Sequence, residues 1–128
     1  MIRRIETKQA PKAIGPYSQG VVVEEISSLI AVSGQIPLDP ETGLLVEGDI
    51  RKMTRRALKN LEAVLNEAGS GLDQVVRMEI FLLDMTDFQE VNEEYAKVFG
   101  ELRPARITVQ VAALPLNARI ELCCLAAR

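Results

Sequence analysis

Two residues toward the C-terminal end of the chain are of types that could do chemistry together. Arg106 lies in a β-branched run and Glu121 in the final apolar run. A guanidinium is a planar fork of N–H donors that takes a carboxylate bidentately. A nearby carboxylate can orient a water and carry its proton. If segment 113–117 closes a hairpin, the two side chains share one neighbourhood. That pair suits either an ordinary cross-strand ion pair or a site for a small carboxylate, with Glu121 aligning water.

The composition narrows the choice of chemistry. The 128 residues contain no histidine, which removes a Ser-His-Asp or Cys-His relay, a His-ligated metal and a histidine base. Cys123 and Cys124 are adjacent, so they cannot close an ordinary disulfide loop, and without further ligands they make no zinc site. They read as small apolar core residues. With two Tyr, three Phe, no Trp and a net charge of -3, stacking platforms and phosphate-backbone binding are both disfavoured. Arg51, Lys52, Arg55, Arg56 and Lys59 are basic, but on a helix they read as a solvated face. Gly69-Ser70-Gly71 follows a helix, whereas a phosphate cradle precedes one. No apolar run is long enough to span a membrane, and the first residues lack the apolar core of a signal peptide. A soluble cytoplasmic protein is the expectation.

The elements that must position these residues follow from periodicity. Strands are expected at residues 2–6, 21–25, 29–32, 75–83, 105–112 and 118–127. Residues 26–28 read as the turn of a hairpin joining 21–25 to 29–32, and the last two strands read as a second hairpin. Residues 49–68 carry an apolar stripe at helical spacing, from Ile50 and Met53 through Leu61 and Val64 to Ala68. Thr86 and Gln89 have the form of a capping box opening a second helix that runs to about Phe99. Prolines and glycines mark 10–17 and 34–48 as loops. The order β-β-β-α-β-α-β-β in a single domain predicts a two-layer α+β fold, six strands backed by two helices.

Strand parity predicts what the uncovered sheet face would carry. Val76, Met78, Ile80 and Leu82, Ile107, Val109 and Val111, and Ile120, Leu122, Cys124 and Ala126 form apolar faces suited to the helices. The opposite parities, which include Arg106, Thr108 and Glu121, mix polar and apolar groups. Such a face suits an interface between copies with a polar site in it.

Several segments then resemble one family. Ile14-Gly15-Pro16-Tyr17-Ser18-Gln19, Ser33-Gly34-Gln35-Ile36-Pro37, Asp87 and Phe88 with Val91, Asn92 and Tyr95, Pro104-Ala105-Arg106, Leu114-Pro115 and Ile120-Glu121 are similar, in order and spacing, to motifs of the RidA/YjgF reactive intermediate deaminases. The resemblance covers nearly the whole chain. It implies a chorismate-mutase-like fold, a six-stranded mixed sheet on two helices, and a homotrimer whose sheets form a central barrel with clefts between subunits. It implies hydrolysis of small 2-imino acids (2-iminobutanoate, 2-iminopropanoate) to 2-oxo acids and ammonia, with no metal or organic cofactor. Arg106 would clamp the substrate carboxylate and Glu121 would position the water. Tyr17, Ser33, Gly34 and Thr108 would line the site, with Asn92 reaching in from a neighbouring subunit. Thr108 stands where some members carry cysteine, which argues against thiol chemistry there. Relatives described as endoribonucleases or translation inhibitors, and a non-catalytic metabolite-binding or chaperone-like trimer, are the alternative functions.

Overall fold

The computed structural model describes all 128 residues. The strands are β1 (Ile2–Ile5), β2 (Gly20–Val23), β3 (Leu29–Gln35), β4 (Val75–Leu82), β5 (Ala105–Gln110) and β6 (Ile120–Ala127), and the helices are α1 (Ile50–Glu67) and α2 (Phe88–Phe99). Both helices and all six strands predicted from the sequence are present, in the predicted order.

Helix α1 begins where Asp49 accepts a hydrogen bond from Lys52 N at 2.9 Å. It ends before Gly69, whose φ of +75° suits the residue that follows a helix. Its Ala57, Leu58, Leu61 and Leu65 are buried, but Val64 at the edge of the predicted stripe is exposed. The expected capping box of α2 does not form. Asp84 is nearer in sequence and takes both the backbone N and the hydroxyl of Thr86, at 2.9 and 2.8 Å, capping a 3-10 turn over Met85–Asp87. Asp87, just before α2, instead receives Arg119 Nη2 at 2.9 Å on both carboxylate oxygens.

The strands divide into a two-stranded sheet, β1-β2, and a four-stranded mixed sheet in the order β3-β6-β4-β5. Neither predicted hairpin forms. Strand β2 pairs with β1, and β3 pairs with β6 at the far end of the chain. Strands β5 and β6 are separated by β4, which pairs parallel with β5 and antiparallel with β6. The helices cover one face of the larger sheet, and the core between the layers includes Met78, Ile80, Leu82, Ile120, Leu122, Tyr95 and Phe99.

The face of β6 agrees with parity, and so does β4 from Met78 onward, but a register shift between Val75 and Arg77 buries Val75 in place of the expected Val76, and β5 is inverted. Arg106 lies opposite the buried Met78 and Thr108 opposite the buried Ile80, so these polar residues face the helix layer. Ile107 and Val109 face the open side and are 44% and 36% exposed. Strand β5 is the sheet edge, so its helix-facing side borders the rim of the core rather than its centre. That rim tolerates polar side chains that a central strand would not.

The helices are joined by a charged seam. Glu94 on α2 is 2% exposed and meets Arg55 Nη1 and Lys97 Nζ at 3.2 Å and Arg51 Nη1 at 3.3 Å. Arg51 Nη2 also reaches Glu93 at 2.5 Å. The basic row of α1 is therefore partly held by acids rather than wholly solvated. Burial alone would raise the Glu94 carboxyl, but hydrogen bonds from Lys97, Arg55 and Arg51 outweigh it and hold it below its ordinary value. A depressed folded-state pKa stabilises the fold above the unfolded value and is lost as pH falls through the folded one. Glu94→Gln is therefore expected to cost about 1–2 kcal/mol at pH 7 in urea unfolding. The gap to the parent should close as the pH is lowered below the ordinary carboxylate range.

Candidate active site

Arg106 comes out of β5 beneath the start of α2 and is enclosed by aromatic rings. Its Cζ lies 4.9 Å from the Tyr95 ring centroid, 5.4 Å from Tyr17 and 5.9 Å from Phe88. These are cation–π distances on three sides. Burial lowers the guanidinium pKa from its ordinary value, while the neighbouring Tyr95 and Tyr17 act in the opposite sense. Arginine stays charged at neutral pH through shifts of this kind. A cleft of about 270 Å³ opens beside it, lined by Tyr17, Met85, Phe88, Arg106, Ile107 and Thr108. Its wall is mostly apolar with one fixed positive charge, a combination that selects a small anion with an apolar remainder.

Local structure explains why these groups meet. Phe88, Asn92 and Tyr95 are spaced i, i+4 and i+7 on α2, which puts them on one face of the helix. Asn92 thus shares the α2 face that carries Phe88 and Tyr95, the two rings of this helix nearest Arg106. The Met85–Phe88 corner is held by Gln110 of β5, whose side-chain oxygen accepts from Met85 N at 2.8 Å. Tyr17 sits on a loop closed by one side chain. Gln19 Oε1 accepts from Thr7 N at 2.7 Å, and Nε2 donates to the carbonyls of Thr7, Ala10 and Pro11 at 3.0, 3.2 and 2.8 Å. The Tyr17 hydroxyl accepts from Ile14 N at 3.4 Å, keeping its ring turned toward Arg106.

Glu121 is elsewhere. It lies opposite Phe81 on β4, on the open face of the sheet, whereas Arg106 is on the helix face and β4 runs between them. The two make no ion pair, so the cross-strand pair does not exist in this chain. Two strand spacings alone separate them by about 10 Å before the thickness of the sheet is counted. Beside Glu121, the β3–β6 ladder is interrupted between Val32 and Gln35, which takes Ser33 and Gly34 out of register. The Glu121 carboxylate lies directly over Gly34, where a Cβ would overlap it. Ser33 is exposed at the same irregularity. The open face also carries Glu79 and Cys123, whose thiol donates to Glu79 Oε2 at 3.6 Å. Burial, then Glu79, push the Cys123 thiol up, and burial pushes Cys124 up to about 12, so neither is a ready thiolate.

The seven residues singled out from the sequence therefore form two groups. Tyr17, Arg106 and Thr108 line the helix-side cleft, Asn92 lies on the α2 face that carries Phe88, and Ser33, Gly34 and Glu121 gather on the open face. Sequence reasoning did not assign Met85, Phe88, Ile107 or Tyr95 to the site. The i, i+4, i+7 spacing of Phe88, Asn92 and Tyr95 was the available signal, but it reads equally as a packing stripe.

Fold and cleft together define a small two-layer α+β protein, free of histidine, with an arginine-walled cleft at the edge of its sheet. Residues 7–128 match the family model described as endoribonuclease L-PSP. The chain belongs to this family, the RidA/YjgF proteins. It is 48% identical to a RutC family protein of Pyrococcus abyssi over 118 residues, which is 92% of this chain and 91% of that one. It is 46% identical to the human 2-iminobutanoate/2-iminopropanoate deaminase over 123 residues, 95% of this chain and 88% of that one. The crystal structure of Escherichia coli TdcF with bound serine superposes with a TM-score of 0.76 at 38% identity, covering 98% of each chain.

Proposed function

We propose that the protein hydrolyses small 2-imino acids to 2-oxo acids and ammonia, in sites completed between copies of the chain. The observation that carries this reading is the Arg106 guanidinium, caged by three rings at the wall of an otherwise largely apolar cleft. A substrate carboxylate would occupy the fork, and the apolar walls would take the side chain. The human relative's name and the serine held by TdcF point to the same class of small carboxylate ligand.

The reaction asks little of the protein. Water adds to the C=N carbon, the carbinolamine loses ammonia, and the 2-oxo acid remains. An arginine anchor, a carboxylate to align water and move its proton, and exclusion of competing poses are sufficient. Glu121 has the right chemistry but stands on the opposite sheet face. It would act in the cleft of a neighbouring copy, whose Arg106 faces it. Leu29, Ile107, Val109 and Leu125 leave an apolar open face that such packing would cover. A homotrimer, three sheets around a central axis, is the arrangement proposed. No helix of the structure is long and apolar enough to cross a membrane.

A phosphate-backbone role has less support. Arg51 and Arg55, the cations it would need, are bound to Glu93 and Glu94. The deciding experiment couples a threonine dehydratase to this protein and traps surviving 2-iminobutanoate with semicarbazide. The protein is expected to abolish most of the semicarbazone signal. An undiminished signal would sink the proposal.

A further inference from the structure

Four buried side-chain polar atoms in the chain have no hydrogen-bond partner: Asn92 Oδ1, Tyr95 OH, Arg106 Nη1 and Thr108 Oγ1. Buried unpaired groups are costly, about 1–3 kcal/mol each, and chance would scatter them. Here Tyr95 and Arg106 are in direct contact, 4.9 Å from ring centroid to Cζ, while Asn92 lies one turn before Tyr95 on α2 and Thr108 shares the helix-facing side of β5 with Arg106. One is a guanidinium donor, and the other three are oxygens able to accept. A guanidinium has five N–H groups, and a bidentate carboxylate takes only two.

Tyr95 holds a particular place among the four. It is completely buried and is not part of the cleft wall, so it stands behind Arg106 rather than beside a ligand. Its ring is the nearest of the three to the guanidinium and is itself fixed by stacking on Phe99, with centroids 4.4 Å apart. Burial raises the phenol pKa far above its ordinary value, so the hydroxyl stays neutral.

We infer that Tyr95 is a positioning residue for the carboxylate anchor, its hydroxyl accepting, with Asn92 Oδ1 and Thr108 Oγ1, the guanidinium N–H groups that the substrate does not use. This rests on reading Arg106 as the anchor of an imino-acid site. Engagement of a carboxylate fixes the plane of the fork. That plane turns the spare N–H groups toward the three unpaired oxygens. These oxygens therefore act on binding, not on the bond-making step.

Tyr95→Phe removes only the hydroxyl and keeps the stacked ring. KM for 2-iminobutanoate is expected to rise about tenfold, with kcat within about twofold of the parent. The melting temperature should be equal or higher, because an unpaired buried hydroxyl has gone. A purely structural tyrosine would behave the other way, with Tm falling and KM holding. In an Arg106→Ala background the same change should leave affinity for 2-oxobutanoate, read by calorimetry, unaltered. Phe99→Leu, which loosens the stack without touching Arg106, should lower Tm but not raise KM. An unchanged KM in Tyr95→Phe, an undiminished penalty without Arg106, or an equal KM rise in Phe99→Leu would each overturn the inference. Parental turnover in Arg106→Ala would instead overturn the imino-acid reading itself. Loss of turnover there with a silent Tyr95→Phe would remove only the positioning role.

Discussion

Arg106→Ala is expected to lower kcat/KM for 2-iminobutanoate by about a thousandfold without unfolding the protein. The loss follows from two charge-assisted hydrogen bonds to one carboxylate, together worth about 3–5 kcal/mol in a partly dry cleft. That interval corresponds to two to four decades in kcat/KM. Stability should move little. Removal of the guanidinium forfeits its contacts with Tyr17, Phe88 and Tyr95 but also removes a buried N–H that has no partner. Arg106→Lys should fall between the two, since an ammonium keeps the charge and loses the fork. Steady-state kinetics on imine generated in situ, beside thermal unfolding of the same preparations, provides the check. Retention of more than a tenth of the parental kcat/KM in Arg106→Ala would be incompatible with the anchor.

Gly34→Ala is the second large effect, and it arises without touching a charged group. A methyl at this position would overlap the Glu121 carboxylate, the end of a flexible side chain. The side chain can swing aside at small cost, so the fold should survive with a change below about 1 kcal/mol. The carboxylate would then no longer stand where water must be aligned, and kcat should fall about a hundredfold, as for loss of a general base. Glu121→Gln should give a similar loss. Because both changes remove the same function, the double variant should be no worse than either alone. Multiplying losses in the double variant would show that Gly34 acts through something other than Glu121.

How much of this was legible in the sequence depends on the range of the interaction involved. The helices were, because the apolar stripe beginning at Ile50 is a local pattern and 3.6-residue periodicity needs no partner. Strand positions were also legible, from β-branched runs between turn residues. Strand partners were not. Adjacent runs such as 21–25 and 29–32 look like a hairpin, but β3 instead pairs with a strand some ninety residues away. Pairing is decided by burial of the whole sheet, which no window of sequence contains.

The site shows the same division. Arg106, Glu121, Tyr17, Asn92 and Thr108 were picked out because their types stand at motif positions, and the structure gives each a place. Their grouping was misread at two steps, the hairpin that would have made β5 and β6 neighbours and the parity of β5. Ile107, Val109 and Val111 are the more apolar set, so they were expected to face the helices. In an edge strand the apolar set turns outward and Arg106 turns in. The Tyr95 hydroxyl was hidden for another reason, since a tyrosine in a helical stripe looks like any other large core residue.

The Gln19 amide has a consequence of its own. It closes the loop that carries Tyr17 by gripping residues eight to twelve positions back, a task that small proteins often give to a cystine. The only two cysteines are neighbours on β6 and both are free, so no covalent bridge competes for this role. An amide clasp has no reduction potential. Its strength is therefore the same whether glutathione is reduced or oxidised, and the Tyr17 edge of the cleft keeps its shape under a shift in thiol poise that would open or reshuffle a disulfide.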